Sequence, residues 1–200
     1  MTGDRAGVID DATSVLLLAP AVRDAAAGAA AKLLEKDSQT HDRVVAVTFS
    51  QSAESWTRVW DRHVGVATNV SCIDVDCGTR AASADGGSAA VPVERVAKPA
   101  DLETLGRTVS NVLERAGDRG ERVGLAIHSL TDLVHHVDEP TAFKFIYTLG
   151  EVVRRVEGTV YFHLDPGAHD DESIDTFAAA CDAVVDIDDD GVTVTPQNEW

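Results

Sequence analysis

Unbroken apolar segments of strand length recur along this chain, and segments with helical spacing separate most of them. Apolar residues fill consecutive positions in these segments instead of every second one. Such segments are typical of strands buried on both faces, as in a parallel sheet covered by helices. We therefore predict an α/β fold with three layers, in which a mostly parallel sheet lies between two layers of helices. The predicted strands are 14–19, 43–49, 70–75, 122–127, 159–164 and 183–187.

Two shorter segments extend the predicted sheet. Residues 91–96 form a small edge strand. Residues 192–195 form a C-terminal hairpin with 183–187, because the connection between them ends in an Asp-Gly pair that suits a tight turn.

Helices are predicted where apolar residues recur every three or four positions. Gly117 is a candidate for the left-handed residue that ends one helix, and Asp170 is a candidate N-cap of another. Trp56 and Trp60 share one helical face, which favours a place in the core or an interface over a ligand cage. The predicted helices are 21–36, 52–63, 101–116, 140–157 and one that begins after Asp170.

The length of 200 residues predicts a single domain. Within it we expect a flexible N-terminus over 1–13 and a short tail over 196–200. The segment 78–90 is rich in glycine, alanine and serine and lacks large apolar side chains, which predicts a mobile loop.

The charge is strongly acidic, with 34 acidic against 17 basic residues and a net charge of −17. This balance is typical of a halophilic protein from an organism with molar intracellular salt, in which self-repulsion is screened. It disfavours nucleic acid as a partner, because the chain has no basic stripe and no aromatic stacking platform.

Hydropathy and cysteine usage point to a cytoplasmic location. The chain has no apolar run near the roughly 20 residues that a bilayer requires, so we expect no membrane association. The first twenty residues place acids ahead of a short apolar stretch, which is the wrong polarity for a signal peptide. Cys72, Cys77 and Cys181 form no C-x-x-C motif and are interpreted as small hydrophobic residues.

Four segments, taken in order, resemble the RecA-like P-loop ATPases of the KaiC type. They are LLLAP before a helix, VVAVTFSQSAESWTRVWDRHVG, GLAIHSLTDLV, and TVYFHLDPGAHDDESIDTFAAACDAVVDI. Within that group the chain resembles an uncharacterised haloarchaeal family of degenerate relatives. The resemblance runs from Val15 to about Ile187 and implies a RecA-like sheet.

The same resemblance exposes three departures from an active ATPase. Residues 19–32 read APAVRDAAAGAAAK, which contains no Gly-Lys-Ser/Thr, and Lys32 lies about two helical turns too late. His128 stands where the family carries the magnesium carboxylate, although Ser129 is retained. Ser50 and Gln51 stand where the family carries catalytic carboxylates. We therefore expect no catalytic residues, no cofactor and no ATP hydrolysis.

Other side chains gather after the strands of the second half. Because the resemblance places the strand ending at His163 beside the one ending at His128, these imidazoles are expected to be neighbours. His128, His163, Asp165 and His169 are candidate ligands of zinc or iron. His135 and His136 are interpreted as solvated surface. The candidate cleft consists of His128, Ser129, His163, Asp165, His169 and Asp170.

Alternatives remain for two of these features. The segment 165–170 is either a rigid strand-to-helix turn, with Pro166 fixing φ and Gly167 supplying positive φ, or a recognition loop. Ser129 lies near a histidine, but the chain has no G-x-S-x-G elbow that would make it a nucleophile.

These observations favour a non-catalytic pseudo-ATPase that acts as a regulatory or scaffold protein. Its expected partner is a protein, either another copy of itself or an active homologue. The alternative is a module that binds a small molecule or a metal in the cleft at the carboxyl ends of the strands.

Overall fold

A computed structural model gives the fold for residues 12–20, 41–49, 52–63, 69–75, 91–188 and 191–197. In these ranges eight strands and five α-helices are present. The strands are β1 (Ser14–Leu18), β2 (Arg43–Thr48), β3 (Asn69–Val75), β4 (Val93–Val96), β5 (Val123–His128), β6 (Thr159–Leu164), β7 (Ala183–Ile187) and β8 (Val192–Pro196). The helices are α1 (Ala53–His63), α2 (Leu102–Gly117), α3 (Leu130–Val134), α4 (Glu139–Arg155) and α5 (Asp171–Ala178).

All eight strands belong to one sheet, in the order β4-β3-β2-β5-β6-β1-β7-β8. Every neighbouring pair is parallel except β7 and β8, which form an antiparallel hairpin. The predicted α/β class, the mostly parallel sheet and the C-terminal hairpin are confirmed. Strand β6 lies between β1 and β5, as the sequence resemblance implied.

Apolar side chains cover both faces of the sheet. On one face, Leu105 of α2 and Ile146 of α4 are fully buried in a cluster with β-strand residues such as Phe162. On the other face, Trp56 and Trp60 of α1 pack over a second cluster. Helices on both faces explain why consecutive strand positions are apolar.

The two tryptophans are core residues, as predicted. Their ring centroids lie 5.3 Å apart and their planes are inclined by 18°. Both side chains are buried. The i, i+4 spacing therefore anchors α1 to the sheet.

Polar caps define the helix boundaries. Asp170 accepts a hydrogen bond from the backbone N–H of Ser173 and caps α5, as predicted. Gly117, in contrast, is the last residue of α2 and is not in the left-handed conformation. The right-handed turn continues through Asp118, and the positive φ of 69° falls on Gly120. The prediction for Gly117 was therefore wrong by one turn.

A carboxylate at the start of β1 joins two segments that lie far apart in the sequence. One oxygen of Asp182 accepts hydrogen bonds from the backbone N–H groups of Thr13 and Ser14 and from the Ser14 hydroxyl. Arg154 of α4 pairs with the same carboxylate. Asp182 thus fixes β1, α4 and the approach to β7 together.

Several predicted features lie outside the described residues. They include the helix 21–36, the loop 78–90, and most of the expected flexible termini. No helix in the described part of the chain combines the length and apolarity needed to span a bilayer.

Candidate functional site

Three polar side chains form one row across the carboxyl ends of neighbouring strands. Thr48 of β2 is in register with His128 of β5, and the pairing of β5 with β6 brings His128 beside His163. We call Thr48, His128 and His163 the strand-end row. Asp74 of β3 lies next in register beyond Thr48. In open α/β sheets this edge is where ligands bind.

The two imidazoles of the row are stacked. Their ring centroids lie 4.7 Å apart and their planes are inclined by 26°. The expectation that His128 and His163 are neighbours is therefore met. The peptide bond between His128 and Ser129 is cis, and the carbonyl of His128 accepts a hydrogen bond from the N–H of Phe49.

One hydrogen bond sets the tautomer of His163. Its Nε2 lies 2.9 Å from the carbonyl oxygen of Ala19, directly after β1. Because a carbonyl oxygen can only accept, Nε2 carries the proton and donates it. In the neutral ring, Nδ1 of His163 is then an unprotonated acceptor.

Burial keeps both imidazoles neutral. Desolvation, aided by the neighbouring His163, lowers the pKa of His128 to about 4. Desolvation also lowers the pKa of His163, although the Ala19 carbonyl and the carboxylates of Asp165 and Asp132 oppose that shift. At neutral pH the strand-end row therefore presents imidazole nitrogens and a hydroxyl, with no positive charge.

The row also contains most of the unpartnered polar atoms in the described interior. Buried side-chain atoms without a hydrogen-bond partner there are Thr48 Oγ1, His128 Nδ1, His163 Nδ1 and Trp60 Nε1. Buried polar groups are normally paired, so an unpaired group costs free energy. Three of the four lie side by side at the edge of the sheet where ligands of such folds bind.

Ser129 is occupied by its own helix. Its hydroxyl accepts from the backbone N–H of Asp132 at 3.1 Å and donates to the Asp132 carboxylate at 2.9 Å. Ser129 therefore acts as the N-cap of α3. Its hydroxyl proton is directed at a carboxylate, so no imidazole accepts it as a general base would.

Asp165 and His169 are held by a neighbouring turn. The Asp165 carboxylate accepts from the N–H of Gly167, and Nε2 of His169 lies 3.2 Å from the Thr131 hydroxyl. Pro166–Ala168 form a turn of 3₁₀-helix. Positive φ at Gly167 was expected and is not found. A 3₁₀ turn needs only right-handed φ, and the Asp165 side chain caps this one, so no glycine with positive φ is required.

The four candidate metal ligands do not converge. No group of three or more His, Cys, Asp or Glu side chains is placed to hold a metal ion within the described ranges. His128 and His163 come together, whereas Asp165 and His169 are engaged by the turn and by Thr131. Asp170 is an exposed helix cap.

The remaining sequence candidates divide clearly. His135 and His136 are exposed, as predicted. Cys72 and Cys181 are buried, and burial raises their thiol pKa values to about 11 and about 12, so they behave as small hydrophobic residues. The described residues do not include Ser50, Gln51, Cys77 or residues 21–32, where active relatives carry the phosphate-binding loop.

Sequence reasoning missed two residues of this site. Thr48 completes the row, and Thr131 accepts a hydrogen bond from the N–H of Asp165 and also contacts His169. Neither threonine belongs to a motif. Only the β2–β5 register could have revealed Thr48.

The fold is α/β and is similar to that of solved KaiC-like and ATPase structures. A crystal structure of an uncharacterised protein from Pyrococcus horikoshii, in complex with an unknown peptide, has a TM-score of 0.62 at 10% identity. The match covers 93% of this chain and 84% of that chain. A KaiC-like protein from the same archaeon gives a TM-score of 0.56 at 13% identity, with 94% and 80% covered.

A third structure is an ATPase from the type III secretion system of pathogenic bacteria, with a TM-score of 0.53 and 12% identity. That match covers 89% of this chain and 51% of the ATPase. No curated protein matches the chain. The chain itself belongs to DUF7504, described as a family of unknown function, whose model matches residues 12–187.

Proposed function

We propose that this protein is a non-catalytic member of the RecA/KaiC-like fold, a pseudo-ATPase that acts as a regulatory or scaffold protein by binding another protein. The observation that carries the proposal is the neutral, stacked pair of His128 and His163 at the ligand edge of the sheet. The sequence resemblance assigns the position of His128 to the magnesium carboxylate of active relatives.

The chemistry of this pair is unsuited to magnesium and phosphate. Mg²⁺ prefers oxygen ligands in near-octahedral geometry, and a buried imidazole supplies neither a negative charge nor an oxygen. The nearby carboxylate of Asp132 is already bonded to the hydroxyl and the N–H of the Ser129–Asp132 cap. The strand-end row therefore supplies no carboxylate that could hold the Mg²⁺ of a bound triphosphate.

Protein binding is supported by a separate comparison. One protein of similar fold was crystallised with an unknown peptide. We extend peptide binding from that protein to this chain as part of the proposal. The low identity means that this support concerns the capacity of the fold and no particular residue.

The decisive experiment is magnesium-dependent phosphate release from ATP by highly purified protein. The expected result is release at the level of a protein-free blank, for the wild type and for His128→Ala alike. Release that depends on Mg²⁺ and falls in His128→Ala would overturn the proposal, because a contaminating ATPase would not respond to that substitution.

A second candidate function is binding of a small molecule or transition metal at the strand-end row. The Nε2–H of His163 donates to a backbone carbonyl and leaves Nδ1 bare, which is the arrangement found in metal-ligating histidines. Titration with Co²⁺, followed by visible absorption, tests it. A saturable band that disappears in His163→Ala supports this candidate, and an unchanged spectrum excludes a cobalt or zinc site there.

A further inference from the structure

The two edges of the sheet are built differently. Edge strand β4 follows Pro92 and carries Glu94 and Arg95, and Glu94 forms an ion pair with Arg115 of α2. Proline and charged side chains are the usual means by which an exposed edge avoids pairing with another strand. Edge strand β8 reads Val-Thr-Val-Thr-Pro, so its proline stands only at its last position, and it has no charged side chain along its length.

The hydrogen-bond pattern shows which groups of β8 face outward. Asp188 donates its N–H to Gly191 and Gln197 donates its N–H to Asp182, so these opposed pairs are hydrogen-bonded pairs. Bonding alternates along an antiparallel ladder, and the register then assigns Thr193 and Thr195 to bonding with β7. The N–H and C=O groups of Val192 and Val194 consequently point away from the sheet.

Among the described residues, no strand pairs with the outer side of β8. Val194 is partly buried against the cluster that contains Trp56 and Trp60. Val192 is 39% exposed on the same face, and Thr193 and Thr195 are exposed on the other face. A strand added beside β8 would therefore extend the apolar face and cover Val192.

Charge indicates which strand would bind. Asp186 and Asp188 are exposed beside the hairpin end, and the whole chain has a net charge of −17. At salt concentrations that leave this charge partly unscreened, two copies of this chain repel each other, whereas a segment with basic residues is attracted.

We infer that β8 is a docking edge, which binds an extended, basic segment of another protein by adding it to the sheet beside Val192 and Val194. This inference rests on the proposed protein-binding function and names the surface and the chemistry of the partner. Backbone hydrogen bonds supply the pairing, and the acidic hairpin end supplies the charge preference.

The probe is a fluorescent twelve-residue peptide with alternating valine and threonine in its centre and lysines at both ends. Binding is measured by anisotropy, with amide NMR shifts reporting which residues are contacted. We expect the shifts to centre on Val192 and Val194. Replacing the lysines of the peptide with glutamates is expected to weaken binding at least tenfold at the lowest KCl concentration at which the protein remains folded.

Two substitutions at one position separate backbone pairing from side-chain packing. Val194→Pro removes the outward-facing N–H. Proline is tolerated at such a position because its nitrogen faces away from the neighbouring strand. Val194→Ala keeps that N–H. We expect binding to fall at least tenfold in Val194→Pro and to change less than threefold in Val194→Ala. Equal binding by the two variants would overturn the inference.

Two further measurements test the docking edge without relying on Val194→Pro alone. If Val194→Pro does not fold, a peptide N-methylated at alternate residues tests the same hydrogen bonds, and it should bind at least tenfold more weakly than its parent. Absence of binding by the parent peptide would overturn the docking edge. So would a wild-type dimer in sedimentation that Val194→Pro abolishes, since it would make a second copy the occupant. None of these results alters the phosphate-release result, which tests the proposed function separately.

Discussion

His128 and His163 lie stacked with ring centroids 4.7 Å apart, and each has a buried Nδ1 without a hydrogen-bond partner. Two imidazoles this close cannot both be charged at low cost. The pair is therefore a neutral element at the edge of the sheet, and its neutrality has consequences for stability as well as for function.

Stability is predicted to fall as the pH is lowered through the range of His128. Its pKa drops from an ordinary value of 6.5 to about 4 on folding, so the unfolded chain binds a proton first. The unfolding free energy is therefore at its full value above about pH 6.5 and decreases as the pH falls toward 4. This loss amounts to roughly 3 kcal/mol of unfolding free energy. Urea unfolding at pH 7 and pH 5 should detect about 2 kcal/mol of this loss.

The control for this prediction is His128→Asn, which cannot titrate. Carboxylates such as Asp138, whose pKa is lowered by its hydrogen bonds to Thr141, lose their contribution only below about pH 4. The variant should therefore show a shallower loss between pH 6.5 and 5. An identical slope in wild type and variant would contradict the buried, neutral state of His128.

Removal of the Asp182 carboxylate is predicted to destabilise the fold. Asp182→Ala leaves the N–H groups of Thr13 and Ser14 without their acceptor and removes one of the two carboxylates that pair with Arg154. We expect a loss of about 2–3 kcal/mol in chemical unfolding. The exposed Asp175 on α5 is the matched control, and Asp175→Ala should change stability by less than about 0.5 kcal/mol. Equal effects would contradict the described packing of β1 against α4.

Two glycines are predicted to respond oppositely to alanine. A Cβ on Gly158 would lie 2.7 Å from the backbone oxygen of Val123, so Gly158→Ala should cost about 1–3 kcal/mol. A Cβ on Gly106, inside α2, would meet only Phe145 at 3.7 Å. Gly106→Ala should therefore stabilise the protein by about 0.5–1 kcal/mol through helix propensity. Thermal unfolding of the two variants checks both signs, and a stable Gly158→Ala would contradict the close approach to β5.

Stability is also predicted to rise with salt. At 0.01 M salt the Debye length is about 30 Å, so the net charge of −17 is unscreened, whereas in 1 M salt it is about 3 Å. We expect the melting midpoint to increase steadily with KCl. Sucrose serves as an uncharged control for general exclusion effects. A midpoint that KCl leaves unchanged would speak against adaptation to molar salt.

The fold was largely predictable because its strands carry a strong local signal. Continuous apolar residues in β1, β2, β5 and β6 mark them as buried on both faces, and the C-terminal Asp-Gly marks the hairpin. The short helix α3 was not predicted, since five residues capped by Ser129 give no helical periodicity. Gly117 was assigned a left-handed turn because the sequence shows a glycine there but does not show that the right-handed turn continues through Asp118 to the positive φ of Gly120.

The site was predictable only where strand order sufficed. The neighbouring positions of His128 and His163 followed from the expected order of β5, β6 and β1. Their tautomers and neutrality did not, because these depend on the Ala19 carbonyl and on burial. Thr48 joins the site through the β2–β5 register, and Asp165 caps the 3₁₀ turn by accepting a hydrogen bond from the N–H of Gly167.

The most direct test of the account is an NMR titration of the protein with ¹⁵N-labelled histidine rings, assigned with His128→Asn and His163→Ala. At pH 7 we predict that both rings are neutral, that His163 carries its proton on Nε2, and that neither signal changes when Mg²⁺ and ATP are added. Imidazolium signals for either ring, or shifts that saturate with Mg²⁺ and ATP, would contradict a neutral, non-catalytic edge.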